Sequence, residues 1–378
     1  MMMNLFGLCV LSVAVWLSSP ILYASDQSSA DRYLETLVQE VEARRNNIVD
    51  WVNSAEIAAT RLISGGRIWA TGSHPSFAVE AYNRAGGLMC LRMIDKDPPT
   101  ASDTVIVATA GAPDSQLTTR IEAWRKNDVH VVHFSGQART PGIPVHVGDR
   151  TEICPIDSVL NVVDLWAWTG EFTSACTRRG RMPTLYQSYG IEGGRARGGK
   201  YAETIFHDDM TIKAIAPGEL AGRYLDAIIK ILGETRQRHR DRLVQIAGWW
   251  RDADPARRAA ITIGHLFPGH FQDERAPQSI NFRDADFEND QFLLHVGYQT
   301  APNDLINQAA SNQVKLVYMS VKGANCTDSP QTIIHLYLGW PIDDGCVSIE
   351  GYDVPILPAS GVVNAAIYWS LMAQVHQP

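Results

Sequence analysis

The chain repeats itself in order, and this constrains its fold more than any single motif. ICPIDSVLNVVDLW (153–166) is echoed by ILPASGVVNAAIYW (356–369), where Pro155, Asn161 and Trp166 recur as Pro358, Asn364 and Trp369. Upstream, DTVIVATAGAPD (103–114) is echoed by DQFLLHVGYQTAPN (290–303), and VHVVHFS (129–135) by VKLVYMS (314–320), with Ser135 matching Ser320. Matches in one order, joined by similar patterns of elements, argue for a duplicated α/β unit. The stretch AAITIGHLFPGH (259–270) is then the second copy of GGRIWATGSHP (65–75).

Within the first copy, residues 65–87 read as a short buried strand (67–71), a polar turn of Gly72, Ser73 and His74, and a helix entered through Pro75 and left through Gly86 and Gly87. Proline suits the first helical position and glycine the position after the last turn. The open helix N-terminus attracts an anion, and the hydroxyls of Ser73 and Ser76 add donors beside it; the same serines also serve as simple helix caps. Unbroken apolar runs such as DTVIVATA and VHVVHFSG, separated by helical patterns, indicate a parallel sheet covered on both faces. Apolar residues at helical spacing over 29–63 predict one or two amphipathic helices before it, and a helix is predicted from about 116 to 126.

Between the copies lies a stretch without a partner. It starts in the helical DLWAWTGEFTSACTRRG, passes through a Gly-rich basic segment at 193–200 that reads as a surface loop, and continues into a long helix over about 219–250. The chain therefore divides into a leader (1–25), a first unit (26–192), an insert with a linker helix (193–255) and a second unit (256–378), within reach of a 378-residue chain.

A hydrophobic content of 45% with 20% charged residues is that of a globular protein, and a net charge of -8 argues against a nucleic-acid surface. The first 25 residues are apolar and uncharged, which predicts export to the periplasm or outside the cell, through a cleaved signal or an uncleaved anchor. Of the six cysteines, Cys9 lies in that leader, and Cys326 and Cys346 could bridge in an oxidising compartment.

The stretches GSHPSFAVEA, ATAGAPDSQL and CPIDSVLN, in tandem units, resemble the sugar isomerase (SIS) family over roughly residues 50–378. The arrangement is similar to the isomerase half of glucosamine-6-phosphate synthase, to phosphoglucose isomerase and to the glucokinase regulatory protein. The resemblance implies two tandem Rossmann-like units with parallel sheets and a helical insert between them. It also implies a carbohydrate derivative held on the first-turn hydroxyls and the second loop: Gly72, Ser73, His74, Ser76, Thr109 and Ser115. Where the family usually has Ser-x-Ser-Gly-x-Thr, this chain has ATAGAPDS, and Asp114 beside a phosphate would repel it by about 1–4 kcal/mol. Arg195, Arg197 and Lys200 would supply the missing positive charge if their loop folds over the site. Phosphosugars, sugar acids and amino sugars are the ligand classes in view.

Isomerisation of an aldose to a ketose needs a base and usually a ring-opening acid. Glu80 lies one turn beyond Ser76; Glu171 sits among Trp166, Trp168 and Phe172, where burial would raise its pKa; His74 is the acid by position. Each has a structural alternative: a solvated helix carboxylate, a Glu paired to Arg, a local cap. His207, with Asp208 and Asp209, is the densest polar cluster, suited to a substrate hydroxyl or a turn more than to a metal. No nucleotide-binding loop, nucleophile elbow or zinc motif is present, so neither cofactor nor metal is expected. The expected partner is a sugar-derived small molecule, bound either for isomerisation or for non-catalytic sensing, and a homodimer is left open.

Overall fold

The computed structural model describes residues 27–376 except 74, 83, 95–96, 111–113, 137–143, 148–149, 154–155, 263–277, 281–283, 298–302 and 323–330. The leader, His74 and Cys326 thus lie outside the described residues, as does the side chain of Ser76.

The helical patterns ahead of the first strand become α1 (Ser29–Arg45) and α2 (Val49–Ile63). Ser28 caps α1 by accepting the Asp31 amide, and Arg44 and Arg45 occupy its last turn, where the helix dipole favours cations. The first sheet is built from β1 (Ile68–Gly72), α3 (Pro75–Ala81), β2 (Leu91–Met93), β3 (Thr104–Ala108), α4 (Ser115–Lys126) and β4 (His130–Phe134). Its strands are all parallel, in the order β2-β1-β3-β4. An antiparallel hairpin of β5 (Pro144–Val147) and β6 (Arg150–Ile153) leads to α5 (Asp157–Thr177). After it come α6 (Gly194–Lys200) and the 34-residue α7 (Glu219–Asp252).

The second sheet uses β7 (Arg258–Thr262), β8 (Gln278–Ile280), β9 (Phe292–Val296), α8 (Asn303–Ser311), β10 (Lys315–Ser320) and β11 (Ile333–Tyr337). These strands are parallel as well, in the order β8-β7-β9-β10-β11. A two-stranded antiparallel pair, β12 (Gly345–Val347) and β13 (Ile356–Pro358), then precedes α9 (Ser360–Val375).

Without β11 the second order repeats the first strand for strand. The repetition extends to single hydrogen bonds: the Thr109 amide donates to the Phe134 carbonyl at 2.8 Å, and the Gly297 amide donates to that of Met319 at 2.9 Å. The fold is therefore α/β, two tandem Rossmann-like units with parallel sheets and a helical segment between them.

Alternation along the strands sorts residues to two faces. Ile68, Ala70, Ile106, Ala108, Val132 and Phe134 of the first sheet, with Phe292, Leu294, Val296, Val317 and Met319 of the second, join one core with α1, α2, α5, α7 and α9. The opposite faces pack under α4, through Trp69, Val105 and Val107, and under α8, through Leu293, Leu316 and Tyr318. A central helical layer thus lies between the two sheets, which explains why α5 and α9 are buried almost all round instead of amphipathic.

Two expectations are corrected. The Gly-rich basic segment folds as α6, with Arg197 buried, and is not a loop free to close over a ligand. The stretch DLWAWTGEFTSACTRRG does not open a separate insert: its helical part continues the repeated segment within the single helix α5. Cys90, Cys176 and Cys346 carry free thiols. Among the described residues no helix is long and apolar enough to cross a membrane.

Candidate functional site

Between β1 and β3 the strand order reverses: β1 is followed by β2 on one side, β3 by β4 on the other. In open parallel sheets the crevice outside the carboxyl ends at such a point is where ligands bind. Ser73 lies just beyond β1. Its amide donates to the Ala108 carbonyl (2.9 Å), and its hydroxyl accepts the Ala110 amide (3.0 Å), tying the first turn to the loop after β3. Thr109, just beyond β3, pairs its hydroxyl with His133 Nε2 at 2.9 Å. From α5, Asn161 Nδ2 donates to the Thr109 carbonyl at 3.0 Å. Gly136 lets the chain leave β4 against the start of α5. Its φ is +60°, and a Cβ there would stand 2.2 Å from the Asp157 carbonyl oxygen and 2.9 Å from Asn161 Oδ1.

Beside this edge opens a cavity of about 330 Å³. Glu40 and Arg44 of α1, Asn47 in the turn after it, Asp50 and Trp51 at the start of α2, His133, Phe134 and Ser135 at the end of β4, and Asp164 of α5 line it. Asp164 follows Asn161 by three residues, so one face of α5 serves both the sheet edge and the cavity. Arg44 Nε donates to Asp164 Oδ1 at 2.8 Å, and its Nη1 lies 3.4 Å from Glu40 Oε2. Burial pushes the Asp164 carboxyl up from its usual range, and the Arg44 guanidinium pulls against it. Burial, then the charge of Arg125, holds His133 below an ordinary histidine, so its imidazole stays neutral at physiological pH.

Of the residues chosen from sequence, Gly72, Ser73 and Thr109 meet at the sheet edge. Ser115 is exposed as the first residue of α4, where Asp114 accepts the amides of Gln116 and Leu117 at 2.9 and 3.0 Å. The amides that would receive an anion at that helix are thus already bonded to a carboxylate of the chain.

The remaining described candidates make their contacts elsewhere in the packing. Glu80 is buried against α9: it lies 3.5 Å from Arg84 Nε, and a Cβ on Gly361 would stand 2.1 Å from its Oε1. Glu171 is fully buried, as its apolar neighbours predict, and burial raises its pKa. Its carboxylate, however, accepts the Gly218 and Ala221 amides at 2.8 and 3.4 Å, capping α7. Arg197 binds Asp353, Tyr352 Oη and the Leu185 carbonyl, and His207 sits between Asp209 and Tyr352. Arg195 is exposed, with its guanidinium over the Tyr189 ring. His133, Ser135, Arg44, Trp51 and Asp164 were not singled out as site residues. The repeat match at Ser135 was the available signal, since it marks the end of β4.

No family model matches the chain, and no curated protein does. Among solved structures, it is similar to a "Putative sugar binding protein" from Salmonella typhimurium LT2, with 11% identity, a TM-score of 0.47, and 91% of this chain and 98% of the other covered. It is also similar to a "putative phosphosugar isomerase" from Clostridium difficile 630, with 7% identity, a TM-score of 0.47 and 92% of each chain covered. Likeness at this level says nothing about the ligand or activity of this chain.

Proposed function

We propose that the carboxyl edge of the first sheet, with the cavity beside it, binds a carbohydrate derivative the size of a monosaccharide. The observation that carries this is the lining of the cavity. A polyhydroxylated ring needs donors and acceptors on several sides and one apolar face, and carboxylates, Arg44, Asn47, His133 and Ser135 surround it with Trp51 as the aromatic wall. Its volume lies at the small end of the range for ligand sites, which suits one ring better than a chain of them. The sugar isomerase resemblance points to the same class of ligand.

Non-catalytic recognition is the primary reading, because Glu80 and Glu171, the carboxylates chosen as bases, are occupied in the packing. Titration calorimetry with a panel of monosaccharides tests it. Binding is expected to weaken about tenfold or more in His133→Gln and Ser135→Ala together, as two hydrogen bonds are removed. Unchanged affinity in that double variant refutes the site.

One observation favours a second reading. A neutral imidazole at the cavity, oriented by Thr109, has the form a general base requires. In an isomerisation, His133 Nδ1, the ring nitrogen not bonded to Thr109, would take the proton from C2 of the open-chain sugar and return it to C1. Exchange of the C2 proton with deuterated solvent, abolished in His133→Gln, supports that reading, and binding without exchange removes it. Export remains a proposal resting on the uncharged apolar leader; recovery of the full-length chain in the soluble cytosol contradicts it.

A further inference from the structure

Resting on the reading of the cavity as a carbohydrate site, we infer that Thr109 is a positioning residue: its hydroxyl donates to His133 Nε2 and so fixes the ring proton on Nδ1, as a donor to an oxygen acceptor of the ligand. The placement of Thr109 comes first. Its amide donates to the Phe134 carbonyl at 2.8 Å and its carbonyl accepts from Asn161 Nδ2 at 3.0 Å, so its backbone is held from β4 on one side and from α5 on the other. Val107, two residues earlier, is the register partner of His133, which puts Thr109 and His133 on one face of the sheet as diagonal neighbours. Oγ1 and Nε2 meet there at 2.9 Å.

The direction of that hydrogen bond follows from counting donors and acceptors. A threonine hydroxyl has one proton to give, and a neutral imidazole has one N–H and one bare nitrogen. Burial, then the charge of Arg125, keeps this imidazole neutral. Among the described residues neither Thr109 Oγ1 nor the His133 ring has another hydrogen-bond partner. If Nε2–H donated, the threonine proton and the bare Nδ1 would both be left unmet. If the hydroxyl donates, only Nδ1–H remains, on a ring that lines the cavity. The hydroxyl is also the better donor of the two groups and the imidazole nitrogen the better acceptor, and the bond made by one ring nitrogen sets which of them carries the proton. The duplicated unit builds the same sheet edge without this pair. By the matching bonds to the Phe134 and Met319 carbonyls, Gly297 takes the place of Thr109, and Tyr318 that of His133. The pair therefore belongs to the site of the first unit and not to the needs of the fold. A donor at Nδ1 suits recognition of a sugar oxygen, whereas the base reading requires the proton on Nε2.

The test is nitrogen–proton correlation NMR of the imidazoles in the ligand-free full chain at pH 7, with the His133 signals assigned by their loss in His133→Gln. The ring proton is expected on Nδ1. Thr109→Val keeps the shape and removes the donor, so it should move the proton largely to Nε2, and Thr109→Ser should keep it on Nδ1; a threonine that only packs would leave the tautomer alike in all three chains. Calorimetry with D-glucose as the probe should follow the same order, about fivefold weaker in Thr109→Val and unchanged in Thr109→Ser, the scale of one hydrogen bond. A proton on Nε2 in the parent chain, or a tautomer indifferent to Thr109→Val, overturns the inference. Because the tautomer is read without ligand, failure of D-glucose to bind counts against the carbohydrate reading, while the NMR result still decides the role of Thr109.

Discussion

At the start of α4, Asp114 accepts the amides of Gln116 and Leu117, so one side chain both begins a helix and closes an anion position. Asp114→Ala should lower stability by about 1 kcal/mol in a urea titration, the usual cost of losing an N-cap. It should also let inorganic phosphate raise the melting temperature, a rise not expected for the parent chain; no loss of stability would show that the cap is idle. Asp103 is the opposite kind of carboxylate. Burial pushes its pKa up, but the Thr100 amide, the Arg67 guanidinium and amide, and the Trp69 indole together outweigh it and leave the group below its usual value. A lowered carboxyl contributes stability above its unfolded pKa and loses it as pH falls through the folded value. Asp103→Asn should therefore cost roughly 1–3 kcal/mol at pH 7. The gap to the parent chain should close on acidification below the ordinary aspartate value of 3.8; a pH-independent gap would contradict this account.

Among the elements, α3 and α9 join the two units through a buried charge cluster. Arg84, just after α3, reaches Asp344 at 3.4 Å and also donates to Ser360 at the start of α9, while Glu80 packs on Gly361. Two carboxylates share one guanidinium here, and burial raises the pKa of both Glu80 and Asp344. A raised carboxyl contributes stability that is present below its unfolded pKa and lost as pH rises through the folded value. Glu80→Gln should flatten the decline of stability above pH 4.5, the ordinary glutamate value, by up to about 1.4 kcal/mol per pH unit. Parallel pH profiles for parent and variant would show that Glu80 does not titrate there. The same elements show what was legible in advance. Long periodic or unbroken apolar segments (α1, α4, α7, β3, β4) were read close to their bounds, because burial writes itself into composition. β2 spans only three residues, too few for a period, and the glycines of α6 hid a helix fixed by Arg197 reaching Tyr352 and Asp353. The raised pKa of Glu171 followed from its neighbours in sequence. Its capping of α7 did not, since that depends on where a distant helix begins. Ser73 and Thr109 were found because strand ends are local features, whereas the cavity needs α1, α2, β4 and α5 brought together.

In the whole molecule, the inner faces of both sheets and the helices between them form a single core. Two units that share one core cannot melt apart, so calorimetry should record one transition whose van't Hoff and calorimetric enthalpies agree. Two resolved transitions would mean that the units are stable separately. The duplication also carries a functional asymmetry. In the first unit Asn161 bonds the Thr109 carbonyl at the sheet edge, but both amide atoms of its counterpart Asn364 are buried without a partner, so the described residues give the first unit the better-formed site. The most direct test is a crystal structure of the full chain soaked with the monosaccharide that binds it most tightly in titration calorimetry. Density for one sugar ring is expected between α1, β4 and α5, lying against Trp51 and within hydrogen-bond distance of His133 and Ser135. A ring bound anywhere else, or an empty cavity at saturating sugar, would contradict it.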